Sequence, residues 1–347
     1  MTAQRIVYTG ARTLALEPAE TAPPQAGQVR VDVAFTGICG TDLHIYHGDM
    51  DGRVKPPGVI GHEMSGRVAE VGPGVTDWQP GDHVTVMPLT SCGQCPACLA
   101  GHGHICHRLV FLGIDAAGSL QNSWTVPAGT LVRLPRQLPL DHAALVEPIA
   151  VAVHDVRRAR IEPGEQALVV GGGPIGLLIA LVARRGEADV LVVEPDPNRR
   201  AVAESLGLAT LDPGAEDPAE GVALWSRGAG AAVAFEVSGA AAGVTTAVDA
   251  LATRGRMVQV AIHTGPREVN LHRFFWRELT LLGARLYQRA DFEQAVSLLA
   301  EGAIPAADLI SRVEPLGRCS QAFHALESGA GGMKILIDCR AEGTEAR

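Results

Sequence analysis

Four cysteines, Cys92, Cys95, Cys98 and Cys106, fall in one short loop with the spacing C-x2-C-x2-C-x7-C. Gly93, Pro96, Gly101 and Gly103 lie between them and favour tight turns. Four thiolates this close can hold one Zn²⁺ in a tetrahedron with Zn–S bonds of about 2.3 Å. Such a site has no open coordination position, so it is predicted to be structural. A pair of disulfides or four free thiols is the competing reading, but three cysteines this close cannot all pair locally without strain.

A second set of possible ligands lies upstream. Gly37 to His44 places Cys39, Thr41, Asp42 and His44 within six positions. His62 and Glu63 follow in the run GHEMSGRVAEVGPGV, and Glu147 in Val146-Glu147-Pro148. Cys39, His62 and a carboxylate would supply three ligands of mixed type, leaving the open fourth position a catalytic zinc needs. Singly these signals are weak, since a lone Cys is usually a small core residue. Beside a four-cysteine loop they reinforce one another. A carboxylate such as Asp42 or Glu63, bonded to a ligating imidazole, would fix its tautomer and orientation. A turn cap is the alternative reading for Asp42, and an exposed loop histidine that for His44.

The second half carries a nucleotide signature. Gln166 to Val170 is a short apolar run, followed by Gly171-Gly172-Gly173-Pro174-Ile175-Gly176 and an apolar segment from Leu177 to Arg185. This reads as strand, glycine-rich turn and helix, with Gly171, Gly173 and Gly176 fitting G-x-G-x-x-G. The first glycine gives the tight turn, the second admits a pyrophosphate, and the third lets helix pack on strand. The helix N-terminus then faces the phosphates. A strand from Val190 to Val193 ends in Glu194, 18 residues after Gly176. A carboxylate there binds ribose hydroxyls and repels a 2′-phosphate, which predicts NAD over NADP. Arg199 and Arg200 weaken this, because a nearby Arg can accept that phosphate; one of them is expected to stack on adenine.

These residues need elements to position them. Ala231–Phe235, Arg256–Ala261 and Leu279–Gly283 read as further strands, and Ala240–Leu251 as a helix. Strands alternating with helices imply a parallel doubly wound sheet. A chain of 347 residues has room for two domains. Its net charge of −9 argues against nucleic acid or an anionic membrane surface as partner. No apolar run approaches a bilayer span. Met1 to Arg5 lacks the pattern of a secretory signal, and the metal-type cysteine spacing points to a reducing cytoplasm. Cys319 and Cys339 read as partly buried free thiols. The polar stretch 341–347 is expected to be frayed and says nothing about function.

With these residues in view, the chain resembles the zinc-dependent medium-chain alcohol dehydrogenases over nearly its whole length. GHE-x2-G-x5-G-x2-V, from Gly61 to Val75, fits the family signature at every specified position. The CGTDLH run, the four-cysteine lobe and the GGGPIG turn follow in the family's order. Glu147 in VEPIAVAVHDV resembles the sorbitol and butanediol dehydrogenase branch. The resemblance implies an α/β protein with a discontinuous, barrel-like, mainly antiparallel β catalytic domain (GroES-like) over 1–150 and 288–347. A Rossmann NAD-binding domain is inserted at 151–287. It implies NAD and two zinc ions per subunit, one catalytic and one structural, a small alcohol or ketone substrate, and a homo-dimer or homo-tetramer.

Residue by residue, Cys39 and His62 match catalytic zinc ligands. Glu63 matches the carboxylate beside the metal, and Glu147 the remaining position, direct or through water. Thr41 and His44 match the proton relay. The reaction implied is hydride transfer between NAD and a secondary alcohol, a polyol or vicinal diol. An L-threonine-type dehydrogenase and a non-catalytic NAD-binding protein are the alternatives. The chain departs from the family at Gly118 to Trp124, GSLQNSW, where Asn122 and Ser123 replace Glu and Tyr. Ile45, Tyr46 and His47 are expected to face substrate.

Overall fold

The computed structural model describes residues 3–329 and 331–340; the polar stretch 341–347 lies outside them. The chain divides into two compact units, one comprising Met1–Glu147 with Gln288–Arg347, the other Pro148–Tyr287.

The first unit is built on a seven-stranded sheet. Its order is Ile310–Pro315, Lys334–Asp338, Gln28–Gly37, Glu63–Val71, His83–Val86 and Leu131–Arg133, with Ser123–Pro127 also pairing to Gln28–Gly37. Only the first pairing is parallel. In Gln28–Gly37, Val29, Val31 and Val33 alternate with more exposed neighbours, and from Val33 to Gly37 every residue is buried, so the strand's second half is covered on both faces. This strand has two neighbours on the same edge. Ser123–Pro127 pairs with its start, Gln28 to Asp32, and Lys334–Asp338 with its end, Phe35 to Gly37. At that end Gly37 pairs with Glu63 on one side and Leu336 on the other. Two strand ends and the middle of a third strand therefore meet just before Cys39.

The departure at GSLQNSW has a structural use. The Asn122 side chain accepts from Gln4 N at 2.5 Å and donates to the Cys339 carbonyl, tying the N-terminal strand Ala3–Gly10 and the last strand to this segment. Ile45 and Tyr46 correct the expectation of a substrate-facing pair. Both are buried in the core, and the Tyr46 ring lies 5.3 Å from that of Phe323. Their apolar bulk sits on the inward face of the helix Gly40–His47, while His47 bonds Glu327 at 2.6 Å.

The second unit holds a six-stranded, all-parallel sheet. Its order is Ala209–Leu211, Asp189–Val193, Gln166–Val170, Ala231–Glu236, Leu251–Gln259 and Thr280–Gly283. Leu168, Val170, Leu191, Val193 and Ala234 are buried in its core, so these strands read as continuous apolar runs with no alternation. The strand expected at Arg256–Ala261 spans Leu251–Gln259 instead. Its first residues hide in the polar sequence before Gly255, where Arg254 takes a positive φ of 62° and the register to Ala231–Glu236 shifts. It stops at Gln259 because Val260 N and Ala261 N both turn to the Glu236 carbonyl. The three-residue strand Ala209–Leu211 is too short to show in the sequence. Among the described residues, no helix is long and apolar enough to cross a membrane.

Candidate functional site

Cys39 ends the chain's run out of the central strand and is the N-cap of the helix Gly40–His47. Asp42, fully buried, accepts from Cys39 N at 2.9 Å through Oδ2 and so holds the first turn. Its other oxygen, Oδ1, faces His62 Nδ1 at 3.6 Å. Among the described residues, neither of these two buried atoms has a hydrogen-bond partner. His62 reaches this place because Gly61 takes a φ of +94°, a left-handed turn, and a Cβ there would lie 2.9 Å from Leu120 Cγ. Phe111 packs edge-on against the His62 ring at 5.2 Å.

The donor atoms of Cys39, His62 and Glu63 lie within 4.8 Å of one another. Thiolate, imidazole and carboxylate together are the donor types zinc takes in catalytic sites. With Nδ1 turned to Asp42, Nε2 is the nitrogen left for a metal, and an oriented imidazole of this kind is what ligating histidines show. Burial disfavours a charged His62, but the Asp42 carboxylate and the Cys39 thiol outweigh it and hold its pKa well above the usual range. The pocket thus attracts positive charge, as a cation site must.

One member of the site was not legible beforehand. Lys334, 5% exposed, donates from Nζ to both oxygens of Glu63, at 2.8 and 2.7 Å, and to the Ile38 carbonyl at 3.2 Å. Burial lowers its pKa, yet the charges of Glu63 and Cys39 raise it further, so it stays protonated. Nothing in the sequence marks it: Lys334 opens the strand Lys334–Asp338 like an ordinary polar end, and only pairing with Glu63 lets it be buried.

Thr41 is half-buried one residue into the helix, and His44, exposed, follows three residues later on the same face. His44 Nδ1 bonds Asp49 Oδ2 at 3.1 Å. Glu147, buried in the first turn of the helix Val146–Ala159, is close enough for its charge to act on Lys334, the partner of Glu63.

The four loop cysteines do converge. Cys95 Sγ lies 3.5 Å from Cys98 and 3.8 Å from Cys106, and Cys92 lies 4.0 Å from Cys98. A tetrahedron of Zn–S bonds of about 2.3 Å has edges of about 3.8 Å, whereas a disulfide would need about 2.05 Å. All seven cysteines are free thiols. Backbone N–H groups of Gln94 and Cys95 bring Cys92 down to about 5, while burial and its thiol neighbours push Cys98 up to about 11. Four thiols cannot all ionise together without a cation between them, and the geometry fits Zn²⁺.

In the second unit, Gly171 turns the chain with a φ of +111° out of Gln166–Val170. Gly173 then caps the helix Pro174–Arg185, which opens Pro174, Ile175, Gly176. A Cβ on Gly176 would stand 1.8 Å from the Gly171 carbonyl oxygen, so only glycine admits this approach. Glu194 is buried beside the turn and accepts from Gly172 N at 2.6 Å and Asp196 N at 2.8 Å. Arg199 Nη1 stands 4.0 Å from it, while Arg200 is bonded to Asp212 at 2.7 Å. Glycine backbone, helix N-terminus and an acid one strand over fit a dinucleotide.

Comparison with known proteins agrees. Residues 25–136 match the alcohol dehydrogenase GroES-like domain, and residues 174–301 match zinc-binding dehydrogenase. The 2-dehydro-3-deoxy-L-galactonate 5-dehydrogenase of Pseudoalteromonas atlantica is 48% identical over 335 residues, 96% of this chain and 98% of that protein. The crystal structure of 2R,3R-butanediol dehydrogenase from Bacillus subtilis superposes with a TM-score of 0.91 at 31% identity, covering 97% of this chain and 99% of that one. A zinc-binding dehydrogenase of Sinorhizobium meliloti, solved with NADP bound, does so with a TM-score of 0.91 at 30% identity over the same shares. With both domains, the metal-type clusters and the glycine-rich turn in place, the chain belongs to the zinc-binding alcohol dehydrogenase family.

Proposed function

We propose that this protein is an NAD-linked, zinc-dependent oxidoreductase that interconverts a secondary alcohol of a polyhydroxylated chain and its ketone. The observation that carries this is the convergence of Cys39, His62 and Glu63 beside the helix that presents Thr41 and His44. When bound, zinc supplies Lewis acidity toward the oxygen and the nicotinamide accepts hydride. Cys39 and His62 would hold the metal, with Glu63 beside them and neutralised by Lys334; Glu147, whose charge also acts on Lys334, would bind the metal directly or through water. Thr41 takes the hydroxyl proton and His44, tethered by Asp49, passes it to solvent. The four-cysteine loop would hold a second, structural zinc.

The 48% identity to a dehydrogenase named for position 5 of a sugar acid supports a polyol or sugar-acid substrate. NAD is favoured over NADP by the buried Glu194 carboxylate, although Arg199 stands beside it. The free thiols support a cytoplasmic setting. Exposed Phe275 and Trp276 on the helix Leu271–Arg277, with Leu281 on the edge strand Thr280–Gly283, support a homo-oligomer. The test is NADH or NADPH formation across sugar acids, polyols, vicinal diols, primary alcohols and L-threonine. The highest kcat/KM with a polyhydroxylated secondary alcohol and NAD is expected. A preference for L-threonine or a primary alcohol overturns the substrate reading, and a preference for NADP overturns the cofactor reading.

A further inference from the structure

Glu236 is fully buried at the carboxyl end of the strand Ala231–Glu236, and five donors converge on it. Oε1 accepts from Ser238 N at 3.0 Å, Ser238 Oγ at 2.5 Å and Gly239 N at 3.0 Å. Oε2 accepts from Gln259 Nε2 at 2.9 Å and from His263 Nε2 at 3.1 Å. Arg267 Nε lies 3.2 Å from His263 Nδ1. A guanidinium only donates, so Nδ1 is the acceptor and the imidazole proton sits on Nε2, aimed at Glu236. His263 is thus fixed in one neutral tautomer, linking Arg267 to a buried carboxylate that none of its own five donors neutralises.

Its place in the sheet decides what this network can do. Strand order reverses between Gln166–Val170 and Ala231–Glu236, and open parallel sheets bind ligands at the carboxyl ends of the strands at that point. The loop after Glu236 packs on the glycine-rich turn. Val237 N donates to the Val170 carbonyl at 2.9 Å, and a Cβ on Gly171 would stand 2.9 Å from Ser238 N. On the other side, Val260 N and Ala261 N both bond the Glu236 carbonyl. Ile262, next to His263, is 79% exposed, an apolar surface at a binding edge. Glu194 follows the strand on the opposite side of Gln166–Val170 and takes the adenosine ribose, which leaves this side to the nicotinamide half.

We propose that His263 is a positioning residue for the nicotinamide half of the dinucleotide. Through Glu236 it holds two segments, 237–239 and 260–262, that would receive the nicotinamide ring. The proposal rests on the reading that the second unit binds a dinucleotide. The test compares the wild-type enzyme with His263→Ala and His263→Gln for binding of the reduced dinucleotide it prefers, by ligand fluorescence, and of AMP, by calorimetry. A glutamine amide can donate to Glu236 and accept from Arg267. A hydrogen bond to a buried charge is worth about tenfold in affinity. His263→Ala should weaken dinucleotide binding by about that factor, leave AMP binding within about twofold, and be rescued in His263→Gln.

Dinucleotide affinity within about twofold of wild type in His263→Ala overturns the proposal. So does an equal loss toward the dinucleotide and AMP, the mark of a merely structural role. Should His263→Ala not fold, His263→Phe keeps a ring in that place and removes only the donor to Glu236. The same selective loss is expected there, and unchanged dinucleotide binding overturns the proposal. A wild-type enzyme that binds neither ligand removes the dinucleotide reading itself, and this proposal with it.

Discussion

Replacing Lys334 with methionine would leave the Glu63 carboxylate buried without its cation. Lys334 and Glu63 side chains are 5% and 1% exposed, so water offers little screening. Removing one partner of a buried pair costs about 3–5 kcal/mol, because the stranded charge must be neutralised or re-solvated. Unfolding entropy is about 2.1 cal/mol/K per residue. Over 347 residues melting as one unit, that cost lowers Tm by about 4–7 °C. The assay is thermal unfolding near pH 7.5 of metal-stripped and zinc-loaded protein. The loss should be largest in the stripped form and smaller with zinc, since a dication beside Glu63 replaces the missing ammonium. The Lys334→Met/Glu63→Gln double variant should lose less than the sum of the singles, because neither charge is left alone. A stripped Lys334→Met protein melting with the wild type, or additive singles, would refute the reasoning.

Other positions test the remaining parts of the account. Cys95→Ser should remove one zinc per chain by metal analysis and lower Tm, because a structural metal contributes folding free energy; an unchanged metal count would argue against the loop site. Gly176→Ala places a Cβ 1.8 Å from the Gly171 oxygen, so the helix must retreat by more than an ångström. The expected results are a cost of about 1–3 kcal/mol and weaker dinucleotide binding, read by melting and titration; unchanged values would show that the turn is not tightly packed. At Glu165, burial raises the pKa, but bonds from Arg256 and from Glu162 N prevail and hold it below its ordinary 4.5. A depressed folded-state pKa stabilises the fold above the unfolded-state value and loses that stabilisation as pH falls through the folded one. The stability gap between wild type and Glu165→Gln should therefore be full at pH 7 and close below 4.5; a gap independent of pH would contradict this pairing.

The two groups of possible metal ligands were readable because cysteine spacing and the GHE run carry chemistry in residue type alone. The glycine-rich turn was readable because Gly171, Gly173 and Gly176 sit between an apolar run and a helix. Lys334 was not, because its partner Glu63 is 271 residues away in sequence and meets it only through the shared strand Gln28–Gly37. Glu236 and His263 were missed for a like reason: three of the five donors on Glu236 are local, from Ser238 and Gly239, but Gln259 and His263 reach it only through the neighbouring strand Leu251–Gln259. Ile45 and Tyr46 misled because adjacency to Thr41 and His44 says nothing about which helix face turns inward. The strand Leu251–Gln259 was misplaced because Thr253, Arg254 and Gly255 break its apolar pattern where the register shifts.

The most direct test of the central claim is zinc content and NADH formation in Cys39→Ser, measured on one preparation beside the wild type. Two zinc ions per wild-type chain, one per variant chain, an intact fold and no turnover are expected. A Cys39→Ser enzyme that keeps both ions, or oxidises the best substrate at the wild-type rate, would contradict that claim.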